Sequence, residues 1–463
     1  MKKIILYIIG LSSMLALSAC NEWLKVYPEG ELPKEDMFSD EAGFENAMTG
    51  VYIAMKEQSV YGANLSTTTI EYLVSSWDVT GGSNTEDLGL FNYGNTAIET
   101  TFEDIFQQQY FTIAEINSIL SALDDKQDGF TTDGLYGQIK GECLGLRAYI
   151  HFDILRMFGP VPGTETSAEI LPYVTVLSKD NHSYSTYLDY KKALEDDMAE
   201  AESLLAESEK FGNYADRRHI RMNAETVRAM QARAALWFGE KEKAYQLAKG
   251  VIDSTATRLG GSADFTKGDY NLICEQLFGL HIYTMYEYFQ LNFEGQMLKK
   301  GTNASLVNTD LYENSNVDIR RSALWKLSYP TLGDPAYIIR KYEVSDGTPA
   351  SFDVDYRRVP MIRLSEMYFI ATETAPDATT AQVYWDEFRE SRDLPSAPLP
   401  NNETAFKNEM TKEFRKEFFA EGQAFYAYKR LNTDKAHFLW IPTEVTTINY
   451  VVPLPKDEVY GSK

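Results

Sequence analysis

The sequence predicts a mainly α protein, an α–α superhelix of helical hairpins interrupted by long irregular loop regions that carry the binding surface. Three observations predict it. The 463 residues are 44% apolar and 13% aromatic, enough to bury a large core. The strongly patterned segments repeat their apolar residues with the 3.6-residue period of a helix packed on one face. Across about 64–100 and 260–355 that period fades while Gly, Asn, Tyr, Thr and Trp accumulate, and long irregular stretches inside a folded body are usually functional loops.

The chain opens on an address. Lys2 and Lys3 precede an apolar run over 4–16, too short for the roughly 20 residues that span a bilayer. Leu17-Ser18-Ala19-Cys20 follows, a pattern that resembles the lipobox of bacterial lipoproteins. Residues 1–19 are therefore read as a lipoprotein signal peptide, with Cys20 as the acylated N-terminus. Acylation is a sufficient anchor, since each buried methylene contributes about 0.8 kcal/mol and two chains hold a protein stably. Residues 20–33, with Pro28, Gly30 and Pro33, read as an extended tether, and 34–463 as one body.

Within the body, 136–158 places Ile139, Cys143, Leu146, Ile150, Ile154 and Met157 on one stripe, and Gly159-Pro160 ends it. Leu188, Lys191, Leu194, Met198, Ala201 and Leu205 repeat the spacing. Asn223 is placed to cap a helix whose face is Val227, Met230, Ala234 and Trp237; Gly239 breaks it, and Ala244, Leu247 and Val251 begin the next. The small Ala244 after the Gly239 turn resembles a tetratricopeptide hairpin. Further helices are expected over 44–55, 101–123, 360–374 and 403–419, the last with Phe406, Met410, Phe414 and Phe418 four residues apart.

The net charge of −24 repels phosphate backbones and disfavours nucleic acid as a partner. Five scattered histidines form no HExxH pair, and no phosphate loop, dinucleotide fingerprint or GxSxG elbow occurs. Three cysteines without CxxC spacing argue against structural zinc; Cys143 reads as a core thiol, and whether Cys274 pairs with it stays open. The stretch 124–129 resembles the start of a calcium loop, yet Lys126 stands where an oxygen ligand is needed, so a surface turn is expected. No cofactor, metal or catalytic residue is assigned.

Aromatic residues in irregular sequence are the remaining signal. A sugar ring packs its C–H face on an aromatic ring while its hydroxyls seek Asp, Asn, Arg or Gln. Trp77, Asp78, Asn84 and Tyr93 in the first loop region, and Tyr286, Tyr288, Phe289, Trp325 and Tyr329 in the second, are the candidate ligand-binding residues. Tyr283, Tyr286 and Phe289 also fit a helical spacing, which favours core packing for them.

Several segments together resemble the SusD/RagB family of outer-membrane nutrient-binding lipoproteins. They are Cys20-Asn21-Glu22-Trp23-Leu24 with Pro28, ECLGLRAYIHFDILRMFGPVP from Glu142, RVPMIRLSEMYFIATE from Arg358, EFRKEFFAEGQAFYAYKR from Glu413, and Val452-Pro453-Leu454-Pro455 with Glu458. Ala371-Thr372-Glu373 and Ala427-Tyr428-Lys429-Arg430 depart from the family's usual wording, as in a divergent branch. The resemblance implies a non-enzymatic, lipid-anchored protein on the cell-surface side of the outer membrane. It implies capture of an oligosaccharide or other nutrient, delivered to a SusC-like TonB-dependent transporter. It also implies packing roles for the C-terminal motifs, with Arg415 and Glu421 satisfying each other or helix ends. Two other functions fit the same residues: a surface glycoside hydrolase, since 68 acidic side chains allow many carboxylate pairs, and a helical-repeat scaffold for a protein ligand.

Overall fold

The computed structural model describes residues 37–178, 182–330, 333–344 and 356–456. Residues 1–33, which hold the expected signal peptide, Cys20 and the expected tether, lie outside them. By compactness the chain divides into residues 1–47 and 48–463. In the described part of the first unit the Phe38 and Phe44 rings meet at 4.9 Å.

Among the described residues, ten helices of eight residues or more carry the architecture: α1 (Glu41–Met55), α2 (Thr96–Lys126), α3 (Leu135–Phe158), α4 (Tyr187–Ser208), α5 (Ala224–Trp237), α6 (Lys241–Ser254), α7 (Leu364–Thr374), α8 (Ala378–Ser391), α9 (Glu403–Glu417) and α10 (Ala424–Leu431). From α2 to α8 each helix packs on the next, and α9 packs on α10. That is the tetratricopeptide-like succession of hairpins the periodicity predicts. Six short strands pair antiparallel as β1 (Glu169–Leu171) with β2 (Ser185–Thr186), β3 (Gln276–His281) with β6 (Arg358–Arg363), and β4 (Trp325–Ser328) with β5 (Ala336–Ile339).

The helix ends follow the sequence signals. Asn223 caps α5 by accepting the Thr226 N–H at 2.9 Å, and Asn95 caps α2, which begins at Thr96, five residues ahead of the expected start. Gly239 turns the α5–α6 hairpin at φ +74°, a conformation that costs a residue with a Cβ. Close approach of α3 and α4 rests on Gly141, where an added Cβ would stand 2.7 Å from Leu205. Two arginines then lock the stack: Arg147 on α3 grips Asp197 of α4 at 2.6 and 2.7 Å and Asn117 of α2 at 2.8 Å, while Arg233 on α5 grips Glu366 of α7.

Three expectations are corrected. The stripe of α4 is Tyr187, Tyr190, Leu194, Met198, Ala201 and Leu205, and Leu188 points to solvent at 74% exposure. The helix expected over 360–374 begins only at Leu364, because the run from Arg358 to Arg363, buried at every position, pairs instead with β3 and sets Pro360 opposite Gly279. Arg415 and Glu421 do not meet: Arg415 donates to Tyr428 and the His437 carbonyl, and Glu421 pairs with Lys341 and Arg363. Cys143 is a buried thiol and Cys274 is also free, so no disulfide joins them. Residues 124–129 close α2 in an exposed turn.

The 255–357 excursion leaves the stack after α6 and returns through β6, so that α6 and α7 still pack side by side. Its root is a fully buried charge cluster. Arg320, Arg363 and Arg392 share Glu275, Glu413, Glu417 and Glu421 at 2.7–3.3 Å, with Asp318, Lys341 and Lys416 completing it. Five cations thus face five carboxylates, and burial is tolerable because every charge is matched. Burial alone pushes Glu417 up, but the guanidiniums of Arg392 and Arg363 outweigh it and hold its carboxyl well below the usual range.

Candidate functional site

The irregular regions converge on one phenylalanine. Phe419, just beyond the end of α9, receives the edges of Trp77 at 5.1 Å and Trp325 at 5.0 Å, side chains separated by 248 positions in the chain. A third ring, Trp440, approaches it at 6.4 Å. Behind them Phe293 packs on Trp77, Phe289 and Tyr342.

The members of this cluster differ in access. Trp77 is 1% exposed and its indole N–H donates to the Thr67 carbonyl at 2.7 Å. Trp325 is also buried, its N–H directed to the Tyr312 hydroxyl at 3.3 Å, and Phe289 is buried as well. These three candidates supply the floor of the region, their rings taken up by protein neighbours. Tyr288 is half-buried, shares a short hydrogen bond with Thr67, and burial pushes its hydroxyl up to about 12. Tyr286 is half-buried and Tyr329 is 74% exposed.

Asp78 and Asn84 sit differently again. Asp78 accepts the Gly301 N–H at 2.6 Å and lies 3.6 Å from the Lys300 ammonium. Asn84, itself exposed, opens a short helix, Asn84–Gly89, and accepts from Asn95 at 3.2 Å. Tyr93 is buried on Phe102 and Phe91, and its hydroxyl donates to the Asn449 carbonyl at 2.7 Å. The structure therefore unites Trp77, Asp78, Tyr288, Phe289 and Trp325 around one cluster and leaves Asn84 and Tyr93 on a neighbouring segment.

Sequence reasoning missed Trp440. It is half-buried, with the Lys300 ammonium 4.0 Å from its ring centre and its indole N–H donating to Asp310 at 3.2 Å. Burial lowers Lys300 to about 8, against the pull of Asp78, so the amine stays mostly charged at neutral pH. The result is a partly open indole rimmed by a cation and two carboxylates. Such a rim can stack one sugar face and accept hydroxyl hydrogens. An open cleft of about 720 Å³ lies nearby in the C-terminal sequence, lined by Asp434, Lys435, Thr446, Ile448 and Tyr450. Tyr450 is buried there with its hydroxyl donating to Thr433, so this cleft offers no open aromatic face.

Metal-ligating groups offer little. Among the described residues Asp264, Asp269 and Cys274 bring ligand atoms within 4.8 Å of one another. Arg258 closes on Asp264 at 2.6 and 2.9 Å, already balancing its charge. His151 is enclosed by Tyr190 and Val174, and burial lowers it to about 3, leaving a neutral ring in the core.

Comparison with known proteins agrees with this architecture. Residues 22–234 match a SusD-like family described as starch-binding and associating with the outer membrane. A SusD homolog from Bacteroides thetaiotaomicron superposes with a TM-score of 0.72 at 17% identity, covering 92% of this chain and 96% of its own. A second SusD superfamily protein from the same organism gives 0.69 at 20%, covering 91% and 98%. A laminarin-binding SusD-like protein gives 0.60 at 17%, covering 91% and 97%. No curated protein sequence matches significantly. The SusD-like family match thus covers the first half of the body, and the fold of the chain as a whole is the one these SusD superfamily structures share. No helix among the described residues is long and apolar enough to cross a membrane.

Proposed function

We propose that this protein is a lipid-anchored, non-catalytic receptor on the cell-surface side of the outer membrane that captures an oligosaccharide and passes it to a SusC-like TonB-dependent transporter. The observation that carries the reading is the partly open Trp440 ring, floored by Phe419, Trp77 and Trp325 and rimmed by Lys300, Asp78 and Asp310. The family match and the laminarin-binding relative support a carbohydrate ligand. The exposed Tyr329 and half-buried Tyr286 are proposed as further contacts at the loop surface.

Stacking with a few directed hydrogen bonds gives modest affinity, which suits release to a second protein. Cys20 would carry the acyl chains, and 20–33 would give the body reach from the membrane. Titration calorimetry against a panel containing starch and laminarin tests capture, with heat expected from at least one polymer and no product by chromatography. Appearance of shortened oligosaccharides would sink the receptor reading in favour of a hydrolase. Mass spectrometry of a Cys20→Ala variant is expected to show an unacylated product. Affinity purification of the wild-type chain from membranes is expected to bring down a large barrel protein; its absence counts against the transporter.

A further inference from the structure

We infer that the protein carries a second, partly open site, between the first turn of α3 and the 209–223 segment, that binds a small neutral polyhydroxy compound through Arg221 and Gln138. A cavity of about 130 Å³ lies there, lined by Gln138, Glu209, Asn213, Tyr214, Arg218 and Arg221 among others. One water occupies roughly 30 Å³ of liquid, so the space exceeds a single bound water several-fold.

Its polar wall is unfinished. Glu142, fully buried, accepts from the Tyr52 hydroxyl at 2.7 Å, Gln138 Nε2 at 2.8 Å and Arg221 Nε at 3.0 Å. Those bonds use one end of Gln138 and one edge of Arg221. The other ends, Gln138 Oε1 and Arg221 Nη2, are buried with no protein partner. An acceptor and a donor stripped of water without replacement are costly, which points to a third party that supplies both. The Arg221 guanidinium lies 3.8 Å from the centre of the Tyr214 ring, and Tyr214 itself is held at φ +57°. Left-handed backbone at a non-glycine residue persists only where its surroundings impose it, and it concentrates at ligand sites.

Charge selects the class of ligand. Arg218 and Arg221 face Glu142, Glu209 and Glu225, one negative charge in excess. An anion gains little there, and a cation would meet two guanidiniums. A hydroxyl group accepts from Nη2 and donates to Oε1, so a molecule with adjacent hydroxyls, a polyol or single sugar unit, completes the wall. This site shares no residue with the Trp440 rim and stands independently of it.

Saturation-transfer NMR on the mature chain, with glycerol, myo-inositol and glucose as probes, tests the inference. Transfer to at least one probe at millimolar concentration is expected. Gln138→Met removes the acceptor, and Ala215→Phe fills the cavity from an exposed position; each is expected to weaken binding about tenfold or more while circular dichroism shows an intact fold. Leu188→Glu, at an exposed position of α4, is expected to leave it unchanged. No transfer to any probe means the cavity holds water only and overturns the inference. So does transfer that survives both variants, or displacement of the polyol by acetate or sulfate.

Discussion

Two neighbouring regions of this chain handle polar groups in opposite ways. In the cluster around Arg363 and Glu417 every charge is matched, every side chain is buried, and the pairs bind the 255–357 excursion to the helical stack. At the Trp440 rim one ammonium and two carboxylates surround a ring that is still partly open. The contrast teaches where recognition is possible. Matched buried charges have no capacity left for a ligand and serve as frame, while the rim keeps bonding capacity that a sugar could use.

The largest blow to this contrast is Glu417→Ala. It removes the carboxylate that Arg392, Arg363 and Arg320 share, leaving five buried cations against four carboxylates, and is expected to cost about 3–5 kcal/mol, measured by urea denaturation. A loss below about 1 kcal/mol would mean the cluster is not the frame.

Glu71 lies on the seam between the regions, accepting the Gly422 N–H at 2.9 Å and the Ser76 hydroxyl at 2.5 Å. Burial raises its carboxyl from 4.5 to about 7. Because the folded form holds the proton more tightly, its contribution is full below pH 4.5 and lost as pH rises through 7. Glu71→Gln, neutral throughout, is expected to remove this pH slope, worth on the order of 3 kcal/mol across the window. Parallel denaturation curves at pH 5 and pH 8 read it out; an undiminished slope refutes the assignment.

Trp440→Ala is expected to weaken glycan binding about tenfold, roughly 1.4 kcal/mol, with little change in melting temperature. The reverse result, a large loss of stability with unchanged affinity, would move Trp440 from the rim to the frame. Smallest of all is Leu188→Glu, expected to alter stability by less than about 0.5 kcal/mol because the side chain already faces water.

The helices were readable because a stack of hairpins imposes a one-sided stripe: Ile139, Cys143, Leu146 and Ile150 on α3 and Val227, Met230 and Ala234 on α5 are buried as their spacing implies. The strand β6 was not readable. Buried on both faces, the run from Arg358 to Arg363 has no alternation, and it merges with the apolar face of the helix that follows. The site was half legible for a similar reason. Irregular sequence drew attention to Trp77 and Trp325, correctly as to neighbourhood, but which rings end inside is decided by Phe419 and Phe293, far away in the chain. Trp440 follows Phe438 and Leu439 in an apolar run with no period, so nothing local distinguished it.

Only Phe418 separates Glu417 from Phe419 along the backbone. The clamp that fastens the scaffold and the pivot on which three indoles rest are thus two teeth of one short rack. Any tug transmitted through Trp440 is borne by salt-bridged bedrock instead of by pliable chain, and the resting place offered to a passing sugar should hold its position while the surrounding loops adjust.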